Sequence, residues 1–195
     1  MTIRKVCVFC ASSPHVPQIY SDEAYRLGGL LAGRGIGLVT GGGSRGLMAS
    51  VEDGALSQNG EVTAVIPRFM VDAGWLHKGI RDVRLTEDMA ERKRLMLKEA
   101  DAVIVLPGGC GTMDEAMEAL TLKQLGFFTA PILIVNVNGF YDMLAGQLRR
   151  MSDECFIDAG LDGLWNMADN AGQAVDMLSE LPEWDTARAR LSLRR

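Results

Sequence analysis

Histidine is nearly absent. His15 and His77 are the only two, which excludes a multi-histidine metal site. Four cysteines in 195 residues are too few for a disulfide scaffold. With no export signal, they point to a reducing, cytoplasmic setting. No apolar run approaches the ~20 residues of a membrane-spanning helix. The start, MTIRKVCVFCASSP, faintly resembles a signal peptide, but its apolar stretch is too short and it reads better as a first strand. Basic charge is also lacking. The net charge of −5 argues against a nucleic-acid binder, whose affinity needs a positive surface. The locally basic stretch TARARLSLRR (186–195) reads as a solvated tail or a subunit contact.

What is present suffices for a sizeable core, with 48% hydrophobic and 23% charged residues in a length typical of one domain, 1–195. Strand-like runs at 3–9, 36–40, 61–66, 81–85, 101–106 and 131–136 alternate with helical patterns near 20–33, 45–58, 87–99, 111–125, 139–151 and 170–181. The runs at 101–106 and 131–136 are apolar throughout, as in strands buried on both faces. This alternation predicts an α/β fold, a doubly wound, mostly parallel sheet. The stretch 67–80, PRFMVDAGWLHKGI, fits neither pattern and reads as an Ω-loop or lid.

Ligands in such sheets bind beyond the carboxyl ends of the strands. Three of those ends are rich in small residues: CASSP (10–14), TGGGSRGLM (40–48) and PGGCGT (107–112). Glycine lets backbone N–H groups approach a ligand, and a following helix N-terminus adds partial positive charge. Phosphate is the natural guest. Ser12, Gly42 and Gly43 are nucleotide-binding candidates on this ground, and ligand-free tight turns are the structural alternative. Gly41, Gly43 and Gly46 also match G-x-G-x-x-G. The match follows the second strand rather than the first, which disfavours a nicotinamide oxidoreductase. No Gly-Lys-Ser/Thr follows any of the glycines, so a Walker A loop is absent.

In the helix expected after Thr86, with Thr86 as its cap, Met89, Met96 and Ala100 form an apolar stripe. Arg92 lies about 60° to one side of it and Lys93 about 40° to the other. Either these cations snorkel to water or they meet an anionic partner in a cleft. Glu115 has two readings as well. TMDE (112–115) fits a capping box in which Glu115 reaches back to the N–H of Thr112. Alternatively, Glu115 faces a cleft, away from the apolar face of Met113, Ala116, Met117 and Leu120, with Glu118 raising its proton affinity. Cys7 and Cys10 read as buried thiols, and Cys110 sits near a helix N-terminus that lowers a thiol pKa.

PGGCGTMDE (107–115) resembles the P-G-G-x-G-T-x-x-E motif of the LONELY GUY (LOG) family, the cytokinin riboside 5′-monophosphate phosphoribohydrolases. DMAERKRLM (88–96) resembles that family's D-M-H-x-R-K-x-x-M segment, and VCVFCASSP, LVTGGGSRGLM and AVIP follow its order across about residues 3–150. The resemblance implies a Rossmann-like, usually dimeric enzyme that cleaves a nucleoside 5′-monophosphate, such as a cytokinin riboside monophosphate or AMP, to free base and ribose 5-phosphate. It implies no cofactor, metal, nucleic acid or membrane. Arg92 and Glu115 stand where the family has its catalytic pair. Lys93, Gly108, Gly109, Cys110, Gly111, Thr112, Met113, Asp114 and Thr121 stand at its nucleotide contacts. Ala90 replaces the motif histidine, and Gly74 stands where many members have a glutamate that contacts the nucleotide. These departures leave a non-catalytic nucleotide carrier as the alternative. An older lysine-decarboxylase reading would need Lys93 as a Schiff-base lysine.

Overall fold

A computed structural model describes residues 2–157, 163–181 and 184; the basic stretch 186–195 lies outside the described residues. Seven strands form one sheet: β1 (Lys5–Phe9), β2 (Gly37–Thr40), β3 (Val62–Pro67), β4 (Asp82–Thr86), β5 (Ala102–Val105), β6 (Ile132–Val135) and β7 (Asn166–Ala168). Every ladder is parallel and the order is β4-β3-β2-β1-β5-β6-β7. From β1 the chain works outward to β4, then returns to start β5 on the other side of β1. The switch point therefore lies between the carboxyl ends of β1 and β5, where crevices form in open α/β sheets.

Among the described residues seven α-helices flank the sheet, the last of them following β7: α1 (Gln18–Gly33), α2 (Gly46–Ser57), α3 (Arg68–Asp72), α4 (Met89–Lys98), α5 (Cys110–Gln124), α6 (Asp142–Asp153) and α7 (Ala171–Met177). Strand side chains alternate between two cores, as a period of two requires. Val6, Val8 and Ile104 pack with Leu27, Leu31 and Val51 on one face. Cys7, Phe9 and Val105 pack with Met96, Ala116 and Leu148 on the other. The thiols of Cys7 and Cys10 are buried and free, as the sequence suggested. Helices α1 and α2 cross almost backbone to backbone. A Cβ on Gly28 would stand 2.0 Å from the carbonyl oxygen of Val51, and one on Gly54 would stand 2.0 Å from that of Tyr25. No helix among the described residues is long and apolar enough to cross a membrane.

Several sequence expectations change. The stretch 67–80 is not a free loop. It begins as α3 and then pairs antiparallel with the glycine turn after β2, through a Gly43–Leu76 bridge. Ser44 N–H donates to Trp75 O (2.8 Å) and His77 N–H to Gly42 O (2.9 Å). Short apolar pieces separated by glycine gave no period by which to find this pairing. Strand β7 has only three residues, below the length at which alternation is visible. Helix α4 is capped by Asp88, whose carboxylate accepts from Glu91 N–H at 2.7 Å. Thr86 instead ends β4, buried, with no hydrogen-bond partner for its hydroxyl among the described residues. Gly74 has φ +75°, so a glutamate there would sit strained in left-handed space.

Candidate active site

Helix α4 follows edge strand β4 and lays its first turns across the end of β3. Met96 and Leu97 anchor it in the core, and Arg92, one turn earlier, shares that face. Arg92 is therefore buried rather than flanking the apolar stripe, only 6% exposed, while Met89 is 37% exposed and does not complete the stripe. The guanidinium is held by Nε–H donating to Val65 O (3.1 Å) and by Nη1 approaching the sulfurs of Met89 (3.6 Å) and Met70 (3.9 Å). Among the described residues Nη2 has no hydrogen-bond partner. Arg92 lines a cavity of about 310 Å³ together with Ser12, Gly41, Gly43, Arg45, Met48, Met70 and Trp75. Burial lowers the proton affinity of Arg92, and the nearby Glu115 carboxylate opposes that effect.

After β5 the chain passes Leu106 and Pro107 and turns through Gly108 and Gly109 into α5. Gly109 occupies the cap position in extended backbone. Thr112 thus lies inside the first turn rather than capping it, and the capping-box reading fails. Glu115 makes no hydrogen bond to Thr112 N–H or to any other group among the described residues. Gly108 is fixed by Thr112, whose Oγ1 a Cβ on residue 108 would approach to 2.1 Å. The N–H groups of Gly109, Cys110 and Gly111 belong to this helix end, and those three residues are exposed.

Glu115 lies off the apolar face of α5 and is nevertheless only 8% exposed. Burial pushes its carboxyl up to about 7. Arg92 pulls it down, Asp114 pushes it up, Lys93 pulls it down and Glu118 pushes it up. Glu118 does act in the expected direction, but burial is the dominant cause. Arg92 and Glu115 influence each other without forming an ion pair within 4.0 Å, so both keep unused hydrogen-bonding capacity.

Lys93 leaves the core on the other side of α4 and bridges to α5, donating to Asp114 (2.9 Å) and to Glu118. Those carboxylates raise its proton affinity. Met113 is half-buried beside them. Thr121 stands apart from this group. Its hydroxyl donates to Met117 O (2.8 Å), and it lies about 14 Å along α5 from Thr112. Gly42 takes φ +70° and is buried, and the cavity lining includes its neighbours Gly41 and Gly43 but not Gly42 itself. Arg45 and Trp75 in the cavity lining were not singled out in the sequence. The glycine-rich corner containing Arg45 was the available signal, and Trp75 joins it only through the bridge to residues 42–44. The cavity lining does not include the Gly108–Asp114 segment, so Arg92 is the residue shared between the cavity and the Glu115 environment.

The chain matches the family described as "Possible lysine decarboxylase" over residues 48–178. It is 37% identical over 189 residues to the cytokinin riboside 5′-monophosphate phosphoribohydrolase LOG7 of Arabidopsis thaliana, covering 96% of this chain and 87% of that protein. It is 39% identical over 155 residues to the probable cytokinin riboside 5′-monophosphate phosphoribohydrolase LOGL1 of Oryza sativa subsp. japonica, covering 80% of this chain and 70% of that protein. Among solved structures, the molybdenum cofactor binding protein of Rippkaea orientalis superposes with a TM-score of 0.71 at 19% identity, over 92% of this chain and 98% of that one. The molybdenum cofactor carrier protein of Chlamydomonas reinhardtii gives 0.70 at 20% identity, over 90% and 96%. At that identity the two structures establish the Rossmann-like fold alone. On the sequence relationships, which span nearly the whole chain, this protein belongs to the LONELY GUY (LOG) family, that of the cytokinin riboside 5′-monophosphate phosphoribohydrolases.

Proposed function

We propose that this chain hydrolyses the N-glycosidic bond of a nucleoside 5′-monophosphate, a cytokinin riboside monophosphate or AMP, giving free base and ribose 5-phosphate. The observation that carries this reading is the buried Arg92–Glu115 couple, two groups of opposite charge left unpaired at the sheet's switch point. N-ribosyl cleavage passes through an oxocarbenium-like state. Glu115, ionised, stabilises that charge and accepts a proton from the attacking water. Arg92 keeps part of the Glu115 population ionised and offers its free Nη2 hydrogens to the ribose or the departing base.

The exposed N–H groups of Gly109, Cys110 and Gly111 at the start of α5, with Gly108 and Thr112, bind the 5′-phosphate. Ser12 and Gly43, which line the cavity, contact the nucleotide from that side together with the intervening turn residue Gly42, and Met113 and Asp114 border the nucleotide from α5. Lys93, tied to Asp114 and Glu118, holds α5 in place and adds positive charge near the phosphate. Thr121 reaches a nucleotide only if the site extends along α5. The protein works as a cytoplasmic homodimer. The decarboxylase reading is weaker, because a Schiff-base lysine needs a depressed proton affinity and that of Lys93 is raised.

The test is the Glu115→Gln protein. It is expected to fold, to bind AMP, and to release free base at least ~100-fold more slowly than the wild type. Chromatography of AMP and N6-prenyl-AMP reactions reads the outcome. Near-normal turnover by the variant would overturn the mechanism, and no base release by the wild type would favour a carrier.

A further inference from the structure

Glu52 is fully buried in α2, among Leu47, Val51 and Ala55 on its core side. A carboxyl there is expensive without partners, and among the described residues the Glu52 side chain has only one hydrogen-bond partner. Its Oε1 accepts the hydroxyl proton of Thr40 at 2.6 Å, while Oε2 is buried with none. Thr40 ends β2, and its Oγ1 accepts the N–H of Gly42 at 3.1 Å. A hydroxyl has one proton and rotates to suit its neighbours. By taking that proton, Glu52 fixes the rotor so that a lone pair faces Gly42.

Gly42 is the left-handed residue of the turn (φ +70°). The preceding Gly41 presses on Arg92, whose Nη2 would lie 1.6 Å from a Cβ at that position. The carbonyl of Gly42 accepts from His77 N–H, and Ser44 N–H donates to Trp75 O, so the same turn carries the Trp75 wall of the cavity.

We infer that Glu52 is a positioning residue for the reaction proposed above: through Thr40 it sets the Gly41–Gly43 turn, and the turn sets the Arg92 guanidinium and the Trp75 wall. The inference rests on that functional reading for its catalytic consequence, but the Thr40–Gly42 geometry is independent of it. Burial holds the Glu52 carboxyl up to about 8, against the Thr40 hydrogen bond, the nearby Gly42 N–H and the Arg92 charge; Asp53 pushes it higher, and the thiol of Cys10 is close enough to feel its charge. At neutral pH it is a neutral acid accepting through its carbonyl oxygen, a role that a glutamine amide reproduces.

Four variants test this: Glu52→Gln, Glu52→Ala, Thr40→Ser and Thr40→Val. Each is assayed for kcat/KM on AMP at pH 7 and for hydrogen–deuterium exchange of the peptide spanning residues 38–48. Glu52→Gln and Thr40→Ser are expected within about threefold of the wild type in both readouts. Glu52→Ala and Thr40→Val are expected to lose about 10- to 100-fold in kcat/KM, with faster exchange at residues 41–44. Rescue by the conservative variants separates positioning from simple loss of stability. If Glu52→Ala does not fold, Thr40→Val carries the test alone. A folded Thr40→Val protein with wild-type kcat/KM overturns the inference. If the wild type itself releases no base, the functional reading fails and the exchange arm alone decides: unchanged exchange in Thr40→Val overturns the coupling, and accelerated exchange upholds it.

Discussion

Arg92 Nη2 rests against the bare α-carbon of Gly41, in space that a methyl group would fill: a Cβ there would stand 1.6 Å from Nη2 and 2.8 Å from Cζ. The obstacle is the end of a long side chain rather than backbone. Gly41→Ala is therefore expected to fold, to lose only about 1–2 kcal/mol of stability, and to swing the guanidinium out of place. The loss of base release should reach about 100-fold, the scale of a 1 Å displacement in a catalytic group. Denaturant melts beside the product assay check this. A large stability loss with normal specific activity would contradict it.

The pH profile of the wild type carries a signature of Glu115. The proposed active form is the carboxylate, and the carboxyl sits at about 7. Activity should therefore be present above that pH and fall away below it, with kcat/KM reporting the free protein. Neighbouring charges should move this limb in opposite directions. Asp114→Asn removes an anion that raises Glu115, so its limb shifts to lower pH. Lys93→Met removes a cation that lowers Glu115, so its limb shifts to higher pH. A limb that neither substitution moves belongs to another group, such as the substrate phosphate.

Glu52 predicts a pH-dependent stability. Its folded value of about 8 lies above the unfolded value of 4.5, so the folded state prefers the protonated form. Stability from this group is full below the unfolded value and declines as pH rises toward 8, by on the order of a few kcal/mol. Glutamine cannot ionise. The Glu52→Gln protein should gain in Tm over the wild type as pH rises from 5 to 9. A difference independent of pH would contradict the buried, neutral acid.

The contact between α1 and α2 gives a prediction without chemistry. A Cβ on Gly28 would stand 2.0 Å from the carbonyl oxygen of Val51 and 2.7 Å from the amide nitrogen of Ala55, both backbone atoms. Backbone cannot rotate aside, so the helices must separate. Gly28→Ala should cost about 3 kcal/mol or more, measured by urea unfolding. Gly33→Ala on the same helix, where nothing lies within 4 Å, should be near neutral and serves as the control.

The sequence by itself determined the alternating α/β plan, because apolar strands such as Ala102–Val105 and Ile132–Val135 and the helical stretches between them impose their own periods. It also determined the family, because P-G-G-x-G-T-x-x-E and the Arg-Lys pair are local strings. Local periodicity left open what depends on distant neighbours. Glu115 lies off the apolar stripe of α5, free to cap or to face a cleft, and it is buried because the fold covers a face that the helix alone leaves open. For Arg92 the periodicity left snorkelling and a cleft both open, and the fold buries it, because β3 offers it the carbonyl of Val65 and Gly41 leaves it room. The segment 67–80 became a cavity wall only by pairing with the glycine turn after β2, some thirty residues earlier in sequence. Glu52 drew no notice in the sequence, where one acid in a helix reads as surface. Only the tertiary structure, by burying it against Thr40, gave that carboxyl a task. Hydrophobic pattern and motif act over a few residues, whereas burial, proton affinity and the shape of a cavity are set by groups that the chain brings together last.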